Sequence, residues 1–88
     1  METGVPRLTL YWREYCHLCH DMLAQLLALR DELGGEAVFS VDIVDIDADS
    51  ALEPLYDELV PVLSGAAGEL CHYHLNPDSV RAYLAEIR

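Results

Sequence analysis

Residues 7–20 read Arg7-Leu8-Thr9-Leu10-Tyr11-Trp12-Arg13-Glu14-Tyr15-Cys16-His17-Leu18-Cys19-His20, and two different periods meet inside them. From Arg7 to Trp12, Leu8, Leu10 and Trp12 fall on one face and Thr9 and Tyr11 on the other, the two-residue alternation of a half-buried strand. After a short turn at Arg13 to Tyr15 the spacing changes to threes and fours. Cys19, Met22, Leu23, Leu26, Leu27, Leu29 and Leu33 then line one face of an amphipathic helix. Gly34-Gly35 stops it, because glycine reaches the left-handed backbone conformation that follows many helix ends. The pair Cys16-x-x-Cys19 therefore stands where a strand hands over to a helix.

Downstream, Val38 to Ile46 is rich in β-branched residues and long enough for a central strand. Strand, helix and strand together make a βαβ unit, which is right-handed with parallel strands in nearly all cases. Asp49-Ser50 caps a helix expected over Ala51 to Leu59, with Pro54 in its first turn, where a missing N–H costs little. Val60 to Leu63 reads as a strand that begins beside a proline. Gly65-Ala66-Ala67-Gly68 is a hairpin turn and Leu70 to His74 its return strand. Asn76-Pro77 opens a last helix with Val80, Tyr83, Leu84 and Ile87 on one face. The expected order is β-α-β-α-β-β-α: a single α/β domain over residues 7–88, after a loose segment at 1–6.

Length and charge narrow the function. A chain of 88 residues holds one small domain, and its 52% apolar and 24% charged composition is that of a compact fold rather than a disordered one. Five basic residues, all arginine, stand against sixteen acids for a net charge of −11, which repels phosphate backbones and anionic lipid surfaces. Neither nucleic acid nor a membrane is an expected partner. No apolar run approaches a spanning length. The first residues carry an acid where an export signal needs basic ones, so the expected location is cytoplasmic. Three cysteines are an odd number, which argues against a disulfide framework of the secreted kind.

Position gives the cysteine pair its chemistry. A sulfur at a helix N-terminus faces unpaired N–H groups and the positive end of the helix dipole, and both favour the reactive thiolate. Cys16 is thus the expected nucleophile. Cys19, three residues on, points inward and is close enough to bond with it, as a resolving thiol. Two inert buried cysteines are the bland alternative. A zinc module would need further ligands from Cys71, His72 and His74, whose neighbours alternate faces along a strand; no metal is assigned. The string Cys16 to His20 also fits the attachment site of c-type haem, but the chain shows neither an export signal nor the helix content of such proteins. Asp45, Asp47 and Asp49 fail as a calcium loop, since Ser50 and Tyr56 occupy the positions of the required glycine and bidentate acid. Cys71 reads as a buried strand residue. His17 and His20 are read as facing solvent, where a protonated ring would favour the thiolate. Tyr15 reads equally as an aromatic wall beside Cys16 and as packing on the helix start.

With the element order, the Cys-x-x-Cys corner and a Val60-Pro61 opening the third strand in place, the chain resembles the glutaredoxins of the thioredoxin superfamily. Tyr15-Cys16-His17-Leu18-Cys19, Asp45-Ile46-Asp47-Ala48-Asp49 and Val60-Pro61-Val62-Leu63 look like a small bacterial glutaredoxin-like branch. The resemblance runs from about Arg7 to Ile87 and implies a four-stranded mixed sheet flanked by helices. It further implies a monomeric dithiol-disulfide oxidoreductase acting on disulfide-containing proteins or glutathione mixed disulfides. A reductase or glutathione system would be its electron donor, with glutathione a candidate co-substrate and no bound cofactor. By position, it makes Pro61 a cis proline packed against the sulfurs and Val60 a source of backbone hydrogen bonds. Arg13 falls where glutaredoxins carry a base that meets a glutathione carboxylate. With Tyr15 these form the expected substrate site. Two departures stand out: His17-Leu18 replaces the family's Pro-Tyr between the cysteines, and His72-Tyr73-His74-Leu75-Asn76 lies where a glycine pair and an acid would be. A redox sensor or interaction domain that turns nothing over is the rival reading.

Overall fold

The computed structural model describes residues 5–87. Residues 1–4 and 88 lie outside the description, and with them most of the segment expected to be loose. Of its remainder, Pro6 is tied down by its carbonyl, which accepts from the Ser40 N–H at 2.8 Å.

The alternation at the start of the chain produces β1, Arg7–Trp12, with Leu8 and Leu10 fully buried. Helix α1 follows at His17–Leu33 and turns Cys19, Met22, Leu26 and Leu29 inward. It ends as its glycines require: Gly34 and Gly35 take φ of 138° and 96°, and both their N–H groups return to Arg30. Strand β2, Ser40–Asp45, is shorter than the expected 38–46. At its start Val38 is still turning, its N–H bonded to Gly35, while Phe39 is fully buried in the core. At its finish the Asp45 carboxylate accepts from the Asp47 N–H at 2.9 Å and opens a 3₁₀ turn at Ile46–Ala48.

The helix expected over residues 51–59 is only one turn, α2, Glu53–Tyr56. The N–H groups of Leu59 and Val60 both reach back to the Tyr56 carbonyl, at 2.8 and 3.1 Å, and this tight turn ends it. Strand β3 runs Val62–Gly65, two residues later than expected, after a cis peptide bond between Val60 and Pro61. Strand β4 is Gly68–His72, ending before Tyr73, whose φ of 65° leaves strand geometry. Helix α3, Pro77–Glu86, begins where Asn76 accepts from the Asp78 and Ser79 N–H groups.

The strands form one mixed sheet in the order β2-β1-β3-β4, with β1 and β2 parallel and the other neighbours antiparallel. Leu8 and Leu10 of β1 and Leu63 of β3 share a core with Met22, Leu26 and Leu29 of α1 and Val80, Tyr83 and Leu84 of α3. The opposite face of β1 meets α2, where the rings of Tyr11 and Tyr56 stack at 4.3 Å. Helices thus flank the sheet on both sides. Among the described residues no helix is long and apolar enough to cross a membrane.

Candidate active site

Cys16 is the N-cap of α1, the residue at which the chain leaves its extended path and enters the helix. The turn delivering it is closed by its own N–H, which donates to the Arg13 carbonyl at 3.0 Å. The Cys16 sulfur takes the place of a capping oxygen and accepts the Cys19 N–H at 3.1 Å. The two sulfurs lie at disulfide distance, with Cα atoms 5.1 Å apart. Their surroundings differ: Cys16 is half-buried, whereas Cys19 is fully buried beneath it. One sulfur is accessible and the other is shielded, as the helical spacing implies.

Neighbouring side chains brace this corner. His20, one turn into α1, has its Nε2 2.8 Å from the Glu14 carbonyl oxygen, which makes that nitrogen the donor. Its ring packs on Trp12 at 4.5 Å. His20 faces solvent as the sequence suggests, and from there it also fastens the loop. His17 does face solvent, with its side chain 90% exposed and Asp21 at 3.5 Å. Tyr15, next to Cys16 in the chain, is 89% exposed, which does not fit packing on the helix start.

Register brings Val60 and Pro61 to the same end of the sheet. Tyr11 is opposite Val62 across the antiparallel β1–β3 pair, so the preceding Pro61 comes level with the end of β1, from which the cysteine loop departs. Pro61 is buried and its carbonyl accepts from the Tyr73 N–H at 2.8 Å. The Val60 N–H, expected as a hydrogen-bonding group for a bound chain, is already taken up by the Tyr56 carbonyl at 3.1 Å. Tyr73 sits where the sequence lacks the glycine pair. Its hydroxyl donates to the Glu58 carbonyl at 2.7 Å, tying the end of β4 to the segment before Pro61.

Arg13 is the residue whose setting the sequence did not foretell. Its Nε donates to both Asp47 carboxylate oxygens at 3.0 and 3.1 Å, and its Nη2 lies 2.8 Å from Asp57 and 3.4 Å from Glu53. Pairing with Asp57 above all, and with Asp47, raises its pKa further above an already high value. The guanidinium is thus engaged by three carboxylates of its own chain instead of standing open beside the sulfurs. The third cysteine, Cys71, is half-buried against the core, and burial pushes its thiol pKa up, away from the reactive range. Beside it on β4, His72 bonds Glu69 at 2.6 Å.

The sequence profile described as Glutaredoxin-like domain (DUF836) matches residues 7–85. The chain belongs to that glutaredoxin-like family. Among solved structures, it is similar to a Nitrosomonas europaea protein determined by solution NMR. The two share 36% identity over 94% of this chain and 95% of that one, with a TM-score of 0.76. A protein from X. campestris solved by X-ray diffraction is 40% identical over 90% of this chain and 96% of its own, with a TM-score of 0.62. Thioredoxin-2, described as a component of the malaria parasite protein secretion machinery, aligns at 14% identity and a TM-score of 0.62 over 98% of this chain and 86% of that one, a likeness of fold alone. No curated protein matches the sequence. The family has the thioredoxin-like fold, and this member carries the Cys16–Cys19 pair at the corner that the fold leaves accessible.

Proposed function

We propose that this protein is a thiol-disulfide oxidoreductase in which Cys16 is the nucleophile and Cys19 the resolving thiol. One observation carries the reading: the Cys16 sulfur occupies the N-cap of α1 and receives the Cys19 N–H, with Cys19 sealed beneath it. Once the pair is reduced, that N–H and the helix terminus face the Cys16 sulfur and favour its ionised form. The thiolate attacks one sulfur of a substrate disulfide, forming a mixed disulfide and releasing the other sulfur as a thiolate. Cys19 then loses its proton and attacks Cys16, which frees the second substrate thiolate and closes the Cys16–Cys19 bond. The substrate gains two electrons and the protein loses two. They are restored by the dithiol of a reductase system or by two molecules of glutathione, as a reducing compartment such as the cytoplasm would provide.

In this reading a substrate chain would meet Tyr15, which is exposed next to Cys16, and the backbone at the Val60–Pro61 corner. The test is reduction of insulin or of a mixed disulfide, driven in turn by thioredoxin reductase and by the glutathione system. Turnover should vanish in Cys16→Ser, whereas Cys19→Ser should accumulate a covalent adduct through Cys16. A disulfide that opens and closes reversibly yet turns nothing over with either donor would mark a sensor instead.

A further inference from the structure

The candidate site is assembled from two stretches far apart in sequence: the loop 13–16, which delivers Cys16, and the segment 56–61, which delivers Val60 and Pro61. A continuous series of contacts joins them. The Cys16 N–H is held by the Arg13 carbonyl at 3.0 Å. The Arg13 guanidinium crosses to Glu53 and Asp57, which flank Tyr56 on and just after α2, and to Asp47 of the 3₁₀ turn. Tyr56 stacks on Tyr11, near the end of β1 and two residues before Arg13, and its carbonyl holds the Val60 N–H at 3.1 Å. So short a helix has little means of holding its own place. What places it is the grip on Tyr11 and Arg13.

We infer that Arg13 is a positioning residue for the Cys16 thiol, acting through its fork to Asp47, Glu53 and Asp57 to hold the cysteine loop and the Val60–Pro61 corner in one geometry. The inference rests on the dithiol reading above, and it assigns Arg13 a role other than contact with substrate. Planarity is what the role requires: the guanidinium spends Nε on one carboxylate and Nη2 on two others, a division that the single ammonium of lysine does not reproduce. The consequence is that charge alone does not suffice at this position.

The test compares Arg13→Lys, Arg13→Ala, Asp57→Asn and the Arg13→Lys/Asp57→Asn pair by kcat and KM for disulfide reduction. The pH profile of Cys16 alkylation in the reduced proteins is followed alongside. Positioning predicts that Arg13→Lys loses about tenfold or more in kcat, as small misplacements of reacting groups do, and that its alkylation midpoint moves to higher pH as the Cys19 N–H slips from the sulfur. The double variant should then be little worse than either single one, because both cut the same link. If Arg13→Ala does not fold, Asp47→Asn and Glu53→Gln each release one arm of the fork and serve in its place. Wild-type kcat and alkylation in Arg13→Lys would overturn the inference. So would a fall in KM at unchanged kcat in the carboxylate variants, the mark of an arginine freed to bind substrate. Alkylation needs no turnover, so a wild-type protein that fails to reduce any disulfide would refute the enzymatic reading while the alkylation profiles still decide the role of Arg13.

Discussion

Cys71 shows how one side chain's surroundings set its chemistry. Like Cys16 it is a thiol on an element beside the sheet's core, but it has no helix terminus behind it, and burial raises its pKa above the ordinary 9.0. In the unfolded chain its proton leaves first as pH rises, so above about 9.0 the unfolded state binds fewer protons than the native one and stability falls. Below that pH the contribution is fully present. Tyr56, whose pKa is also raised chiefly by burial, adds a loss of the same sign from a higher ordinary value of 10.0. Denaturant unfolding of the oxidised protein should therefore show stability declining above pH 9.0, more steeply than in Cys71→Ala. Equal slopes in the two proteins would contradict this. The contrast with Cys16 was legible from the sequence, since strand and helix-terminus positions are set by local pattern. The setting of Arg13 was not, because Asp47 and Glu53 lie 34 and 40 residues away, Asp57 farther still, and only the closed fold brings them together.

At the level of elements, the parts whose pattern is long and local came through: β1, α1 and α3 were read close to their observed limits. The middle of the chain was not, and the reasons are tertiary. The helix over 51–59 had acceptable composition, yet the chain must turn at Tyr56 to reach Pro61, and only Glu53–Tyr56 remains helical. Both strands of the β3–β4 hairpin lie two residues closer to the turn than expected, because Gly65 and Gly68 are part of the strands rather than of a separate turn. Gly65 has a packing reason that alternation cannot reveal. A Cβ placed there would come within 2.6 Å of the Tyr83 ring, which is buried in α3 and donates no room. The Tyr83 hydroxyl also accepts the Ala66 N–H at 2.8 Å, so the ring cannot retreat without losing that bond. Gly65→Ala should cost about 1–3 kcal/mol, the usual cost of overpacking, read as a lower denaturation midpoint with an unchanged slope. A stability equal to wild type would mean that α3 shifts freely on the hairpin.

Across the whole molecule, the net charge of −11 works against an ionised sulfur, and the fold answers with a local device. At physiological ionic strength charges beyond about 8 Å are largely screened, whereas the Cys19 N–H is 3.1 Å from the Cys16 sulfur. Near the corner, the carboxylates of Asp47, Glu53 and Asp57 are drawn onto Arg13, which spends them on architecture. Sheet register, the start of α1 and the α2 clamp all converge on one accessible thiol with a shielded partner. The measurement that bears most directly on this is the Cys16 thiol pKa in reduced protein, followed by thiolate absorbance with Cys19 and Cys71 replaced by serine. The midpoint should lie well below the ordinary 9.0, within the range of about 3.5–7.5 found for thiols at helix N-termini. A folded protein whose Cys16 titrates at or above the ordinary 9.0 would contradict an activated thiol at this corner.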